Sequence, residues 1–406
     1  MKFKEYKLSD VVQIIGGGTP KRSVAEYWNG EIPWISIKDF SSTKRINFTQ
    51  EAITSLGLQK SSSKILDKDD IVISARGTVG LVAQLGKPMA FNQSCYGLKA
   101  REMAINDFLY YWLKQNVTYV KANTHGSVFD TITKDTFNNL LIKLPSLKKQ
   151  KKIVSILDSI DSKIEINNQI ISNLEELAST LFKRWFVDFE FPDENGNPYK
   201  SSGGKMVDSE LGKIPEGWEL RTLGYFSEII MGQSPKGESY NNDNSGLPLL
   251  NGASDFKNGI ISPLKYTTEP KKVTQKGDFI FGVRATVGHV TESDGIYAIG
   301  RGTGLARTKN YYAKEFLYFS LKNIIRYLEL TASGSVYVNI SKKELNDFKL
   351  IYPANRILQL FHRTTVNLFK EKMNKYIENQ FLTELRDSLL PKLLSGEIEL
   401  PEDEEV

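Results

Sequence analysis

Two hexapeptides, ARGTVG at 75–80 and VRATVG at 283–288, stand 208 residues apart, and the likeness extends well past their edges. At the same offset FLYYWLKQ (108–115) is answered by FLYFSLKN (316–323), and HGSVFDTITKDTFNNLLIKLP (125–145) by SGSVYVNISKKELNDFKLIYP (333–353). EELASTLF (175–182) is likewise answered by TELRDSLL (383–390). Upstream the offset becomes 215, where GGGTP (16–20) pairs with MGQSP (231–235) and IPWISIKDF with LPLLNGASDF. The first copy is therefore seven residues longer between Pro20 and Arg76, an insertion of the kind exposed loops tolerate. A repeat of about 200 residues is too long for a solenoid and matches a whole domain plus an appendage. Whatever one copy folds into, the other must fold into as well.

Each copy has the same internal order. Short β-patterned runs such as IPWISI and DIVISA, punctuated by Gly, Ser, Asn and Pro, come first. A helical stretch, DFLYYWLKQ, follows, and a long helical pattern closes each copy, over 148–188 and 355–395. In the first of these Ile153, Leu157, Ile160, Ile164, Asn167, Ile171, Leu174, Ala178, Leu181 and Trp185 alternate spacings of four and three, a heptad seam. A helix lying on its own domain would show a wider apolar stripe. Asn167 on the seam costs stability; it either fixes register or marks a solvated contact. The second pattern is less regular, with Phe369, Met373, Ile377, Phe381, Leu385, Leu389 and Leu393 every four residues. Pro391 should kink it and Gly396 should stop it. The two helices are each other's natural partners. The expected division is then 1–147 and 216–354 as globular copies, 148–190 and 355–396 as long helices, 191–215 as linker and 397–406 as acidic tail.

The whole chain has 406 residues, 40% hydrophobic and 25% charged, which suits folded domains with ordinary cores. No apolar run reaches the roughly 18 residues of a membrane span, and the start lacks a signal-peptide core. One cysteine, Cys95, excludes a disulfide framework and fits a reducing cytoplasm. His125, His289 and His362 lie far apart in sequence, which argues against a Cys/His zinc site. The net charge of +5 is unevenly placed: the globular copies carry +6 and +3, the second helix and tail −3. A positive excess on the globular parts is the footprint of a polyanion binder, though a weak sign by itself.

The tools of an enzyme are missing. GGGTP is not a dinucleotide fingerprint, no GxxxxGK[ST] is present, and NGNPYK in the linker reads as a turn. No carboxylate set has the spacing to hold magnesium, and no nucleophile constellation stands out. Polar residues instead cluster after the apolar runs, where loops leave a sheet. In the first copy these are Lys21, Arg22, Ser36, Lys38, Arg76, Thr78, Asn92, Gln93 and Ser127. In the second they are Lys236, Asn251, Ser254, Arg284, Thr286, Arg301, Thr303, Ser335, Tyr337 and Asn339. These are the residue types that read base edges and grip phosphates. The alternative is that RGTVG and RATVG are tight turns whose arginines pair with Asp70 or Asp278.

In order and in duplicate, GGGTP, ISARGTVG, SGSVYVNISKKEL, LDSIDSKIEINNQIISNLEELASTLFKRWFVDF, GKIPEGWEL and LRDSLLPKLLSGEI resemble the specificity (S) subunit of type I restriction–modification enzymes. The resemblance implies an α+β chain. Two tandemly repeated α/β target recognition domains would be separated by two long helices forming an antiparallel coiled coil, with pseudo-two-fold symmetry. It also implies a non-catalytic chain in which each domain reads one half of a bipartite, asymmetric double-stranded DNA site. The helices would space the domains and dock two methyltransferase (M) subunits, and restriction (R) subunits would join them. S-adenosylmethionine, ATP and magnesium would be bound by those partners, with no cofactor here. Two other readings stay open: a stand-alone architectural or regulatory DNA-binding protein, and a single-chain DNA methyltransferase.

Overall fold

The computed structural model of the chain describes residues 3–41, 43–122, 131–283, 289–331 and 340–401. It forms two compact units, Met1–Asn167 with Asn379–Val406, and Asn168–Glu378. Each holds one copy of the repeat and part of both long helices.

In the first unit β1 (Val12–Gly16), β3 (Ile71–Ser74), β4 (Val82–Leu85) and β6 (Cys95–Ala100) build one sheet, in the order β1-β6-β3-β4. Arg45–Ile46 forms a fifth, edge strand. IVIS of β3 is buried at every position, as a strand paired on both sides and covered on both faces must be. A second sheet is built around β2 (Trp28–Ile35) and β5 (Met89–Phe91), which run parallel with Trp34 opposite Ala90 and Ile35 opposite Phe91. Helix α1 (Asn106–Gln115) packs Phe108, Leu109 and Leu113 into the core beneath.

The second unit repeats this with β7 (Ser227–Met231), β8 (Leu247–Leu250), β9 (Phe279–Gly282), β10 (Val290–Glu292), β11 (Ala298–Ile299) and β12 (Thr303–Thr308). One sheet runs β7-β12-β9-β10, and β8 lies parallel to β11 with Leu249 opposite Ala298 and Leu250 opposite Ile299. These pairs are the first unit's pairs moved by the two sequence offsets, 215 and 208. The sequence duplication is a duplication of topology and register.

Helix α2 (Leu147–Phe186) closes the first copy. The counterpart of α1 is α3 (Lys314–Thr331), and α4 (Asn355–Ser395) closes the second copy. Helix α4 continues through Pro391 and stops at Gly396, whose φ of +81° suits glycine. The pairing of α2 with α4 is antiparallel in each unit. In the first, Asn167 Nδ2 donates to Asn379 Oδ1 at 2.9 Å and Arg386 reaches Asp161 at 2.9 Å. Ile153 and Leu157 share a core there with Leu390 and Leu393. In the second, Glu175 meets Lys372 at 2.6 Å, while Phe182 and Trp185 pack on Phe361. As the number rises along one helix it falls along the other.

On α2 the expected stripe from Ile153 to Trp185 is buried or half-buried throughout. On α4 the structure corrects the sequence reading: Ile377, Phe381 and Leu385 are exposed, Phe381 by 66%. A strict spacing of four advances about 400° per step, so the row drifts about 40° each time and leaves the interface. Phe369, Met373 and Leu389 remain at least half-buried. The inward row is instead Thr365, Phe369, Lys372, Tyr376, Asn379, Thr383, Arg386, Leu390 and Leu393, alternating four and three. It is a heptad whose middle is polar.

Candidate nucleic-acid interface

The loops carrying the expected contact residues meet where strands end. In the first unit the GGGTP loop after β1, the loop after β2, the turn after β3 and the loop after β5 are tied by backbone bonds. Gly18 N donates to Phe91 O, Asn92 N to Ile35 O, and Ala75 N to Ser94 O at 2.7 Å. Gly17 sits so near this loop that a Cβ would lie 2.0 Å from Asn92 O, so only glycine lets the two backbones close up. In the second unit Gly300 N donates to Leu250 O and Val283 N to Gly302 O, the same bonds at the same offset. The two frames match, while the side chains they present differ.

Arg76 stands exposed at the start of a turn whose Gly77 has φ +75°, a value that favours glycine. Among the described residues it has no hydrogen-bond or ion-pair partner. Asp70 does not hold it: that carboxyl accepts from Asp67 N and Asn106 Nδ2 and lies 3.9 Å from Lys99. Burial pushes the Asp70 carboxyl above its usual range. The counterpart Asp278 is taken by Arg307, with two bonds of 2.8 Å. The carboxylate considered as a partner for each turn arginine is therefore engaged elsewhere, Asp70 by its own turn and helix α1 and Asp278 by strand β12. Arg284 itself, with Thr286, Ser127, Ser335, Tyr337 and Asn339, lies outside the described residues.

The other expected residues divide by how their polar groups are used. Arg22 is exposed, lies 3.8 Å over the Trp28 ring and pairs with Glu51, which holds the guanidinium above its ordinary pKa. Ser36 caps a short turn, donating to Asp39 Oδ2 at 2.9 Å. Asn92 Oδ1 accepts from Ser94 N within its own loop. Lys21, Lys38 and Thr78 are exposed. Lys236 is exposed with Glu238 at 3.9 Å, Ser254 lies 3.4 Å from Asp255, and the Asn251 amide N–H donates to Asp255. Thr303 is a correction: it is fully buried, with Oγ1 donating to Leu250 O at 3.1 Å. As the first residue of β12 it points into the core, beyond reach of any ligand.

Gln93 and Arg301 remain exposed. The Thr19 hydroxyl donates to Gln93 Oε1, and Arg301 Nε donates to Ser234 Oγ at 3.2 Å. Thr19 and Ser234 were missed by the sequence reading. The available sign was a hydroxyl residue immediately before the proline in both GGGTP and MGQSP. Among the described residues no group of three or more His, Cys, Asp or Glu side chains could hold a metal ion, and no helix is long and apolar enough to cross a membrane.

Two copies of one loop frame, presenting different polar side chains on basic α/β domains, define a tandem-repeat protein built to bind two related but unequal targets. Residues 1–176 and 215–379 match the family model described as the type I restriction modification DNA specificity domain, and the chain belongs to that family. It is 28% identical to the type I restriction enzyme MjaIX specificity subunit of Methanocaldococcus jannaschii, over 98% of this chain and 93% of that one. It is 27% identical to the HindI specificity subunit of Haemophilus influenzae, over 73% of this chain and 78% of that one. The fold is similar to that of the crystal structure of the S subunit of the type I restriction-modification system from M. genitalium. The TM-score is 0.56 at 16% identity, with 97% and 96% of the two chains covered.

Proposed function

We propose that each unit reads one half of a bipartite, asymmetric site in double-stranded DNA, and that the chain brings two methyltransferase subunits and the restriction subunits to that site. S-adenosylmethionine, ATP and magnesium belong to those partners, and the assembly works in the cytoplasm. The observation that carries this reading is the matched loop frame with unmatched tips, Asn92-Gln93-Ser94 in one copy and Gly300-Arg301-Gly302 in the other. Identical frames suit a common task, DNA reading; different tips suit different half-sites. Lys21, Lys38, Arg76, Thr78 and Lys236, all exposed, supply phosphate or base contacts, as do Arg284, Thr286, Ser127, Ser335, Tyr337 and Asn339. The long helices dock the methyltransferase subunits, and the exposed Phe381 and Leu385 offer apolar area for it.

The test is to express the tagged chain in its own host, identify what copurifies and sequence modified bases across the host genome. A copurifying methyltransferase and a two-part methylated motif are expected. A chain that binds DNA as the sole species, with no methyltransferase and no motif, would instead be a stand-alone DNA-binding protein.

A further inference from the structure

We propose that residues 93 and 301 are the position at which the two units choose different bases, Gln93 selecting an A·T pair through adenine and Arg301 a G·C pair through guanine. The proposal rests on the reading of the units as half-site readers and adds the base chosen at one position of each.

The assignment follows by comparing equivalent positions in the two frames. Arg76 answers to Arg284, the same residue, so this position cannot distinguish the half-sites. Ser36 is locked to Asp39, and the backbone of its counterpart Asn251 to Asp255. Asn92 answers to Gly300, which has no side chain, and Cys95 and Thr303 are buried. Position 93/301 alone among these is exposed in both copies, differs between them, and is oriented by a hydroxyl from the same place, Thr19 or Ser234. The strand registers fix the equivalence. Cys95 pairs with Ser74 as Thr303 pairs with Gly282, and Tyr96 pairs with Gly16 as Gly304 pairs with Met231.

The hydrogen bonds also leave the right atoms free. Arg301 spends Nε on Ser234 and keeps Nη1 and Nη2, two parallel donors that match O6 and N7 of guanine. Gln93 receives the Thr19 hydroxyl on one lone pair of Oε1. Its second lone pair can accept from adenine N6 while Nε2 donates to N7. In each case the tether holds the head group before DNA arrives, so less side-chain freedom is lost on binding.

The experiment is selection of bound duplexes from a randomised double-stranded pool by the chain assembled with its methyltransferase subunits. Wild type should return a two-part consensus. Gln93→Arg should change one A·T position of one half to G·C, and Arg301→Gln one G·C position of the other half to A·T. The new pair should be favoured by roughly ten- to a hundredfold. Gln93→Ala, a surface truncation, should lose discrimination at that same position only, and Thr19→Val should weaken it. Both variants should melt like wild type. An unchanged consensus, a change in the wrong half, or a folded Gln93→Arg that gains no G·C preference would overturn the assignment. A wild-type complex that returns no two-part consensus would overturn the half-site reading itself, whatever the variants do.

Discussion

Arg76 is placed for a ligand rather than for the fold: it is exposed, without a partner among the described residues, on a turn held by Gly77 and by the Ala75–Ser94 backbone bond. Arg76→Ala should therefore leave the melting temperature unchanged and weaken DNA binding by the assembled complex. A bidentate base contact would cost roughly 1–3 kcal/mol and relax one base position. A phosphate contact would lower affinity evenly and reduce the salt slope by about one. Binding titrations at several salt concentrations decide between them, and wild-type binding throughout would remove Arg76 from the interface. That Arg76 and Gln93 are tip residues was legible in the sequence, because polar residues followed apolar runs twice in the same order. That Thr303 is buried was not. A residue at the first position of a strand belongs to the loop by composition and to the core by alternation, and only the register decides. The Thr19–Gln93 contact joins residues 74 apart, and the hydroxyl repeated before Pro20 and Pro235 does not name its partner.

At the scale of the helices, the extent of both α2 and α4 was readable, but the seam of α4 was readable only towards its ends, for one physical reason. The seam of α2 is mostly apolar, so its heptad shows in hydrophobicity. The middle of the α4 seam is Lys372, Tyr376, Asn379, Thr383 and Arg386, which periodicity of apolar residues cannot find. Three of these polar groups meet a partner on α2: Lys372 with Glu175, Asn379 with Asn167 and Arg386 with Asp161. Asn379 accepts from Asn167, whose own Oδ1 is buried without a partner among the described residues. Asn379→Leu would leave the Asn167 amide unpaired as well and should cost roughly 1–3 kcal/mol. Asn167→Leu with Asn379→Leu should recover that loss while loosening register, read as extra cross-links between cysteines placed one turn apart. A single variant as stable as wild type would show the pair to be idle. In the second unit burial would raise the Glu175 carboxyl, but Lys372 and Lys322 outweigh it and hold it at about 2, against an ordinary 4.5. Its stabilisation is therefore complete above about pH 4.5 and is lost as pH falls towards 2. Wild type should lose stability across that window more steeply than Glu175→Gln, and parallel melting curves would show that the ion cluster contributes nothing. Phe381 and Leu385, off the seam and exposed, make a third case. Phe381→Asp with Leu385→Asp should preserve folding and reduce copurification of the methyltransferase, whereas full recovery would place docking elsewhere.

On the scale of the whole chain, duplication repeats one design, and the largest buried cluster of each unit is its own. Phe108 and Phe316 are equivalent, both buried, and belong to separate clusters. The first cluster takes in Ile153, Leu157, Leu390 and Leu393 from the long helices; the second takes in Phe182, Trp185, Phe361 and Phe369. A cavity at either phenylalanine should cost roughly 3–5 kcal/mol, a large part of what a single domain has. Because the cores do not share members, the cost should fall on one unit. Phe108→Ala should open cleavage sites in residues 3–122 under limited proteolysis and spare 216–331, and Phe316→Ala should do the reverse. Carried to function, each variant in the assembled complex should lose footprint protection over one half of the DNA site before the other as temperature rises. The two variants should lose opposite halves. If either substitution melts both units together and erases both halves at one temperature, the helices transmit the damage, and the chain behaves as one cooperative body in which neither half-site can be read alone.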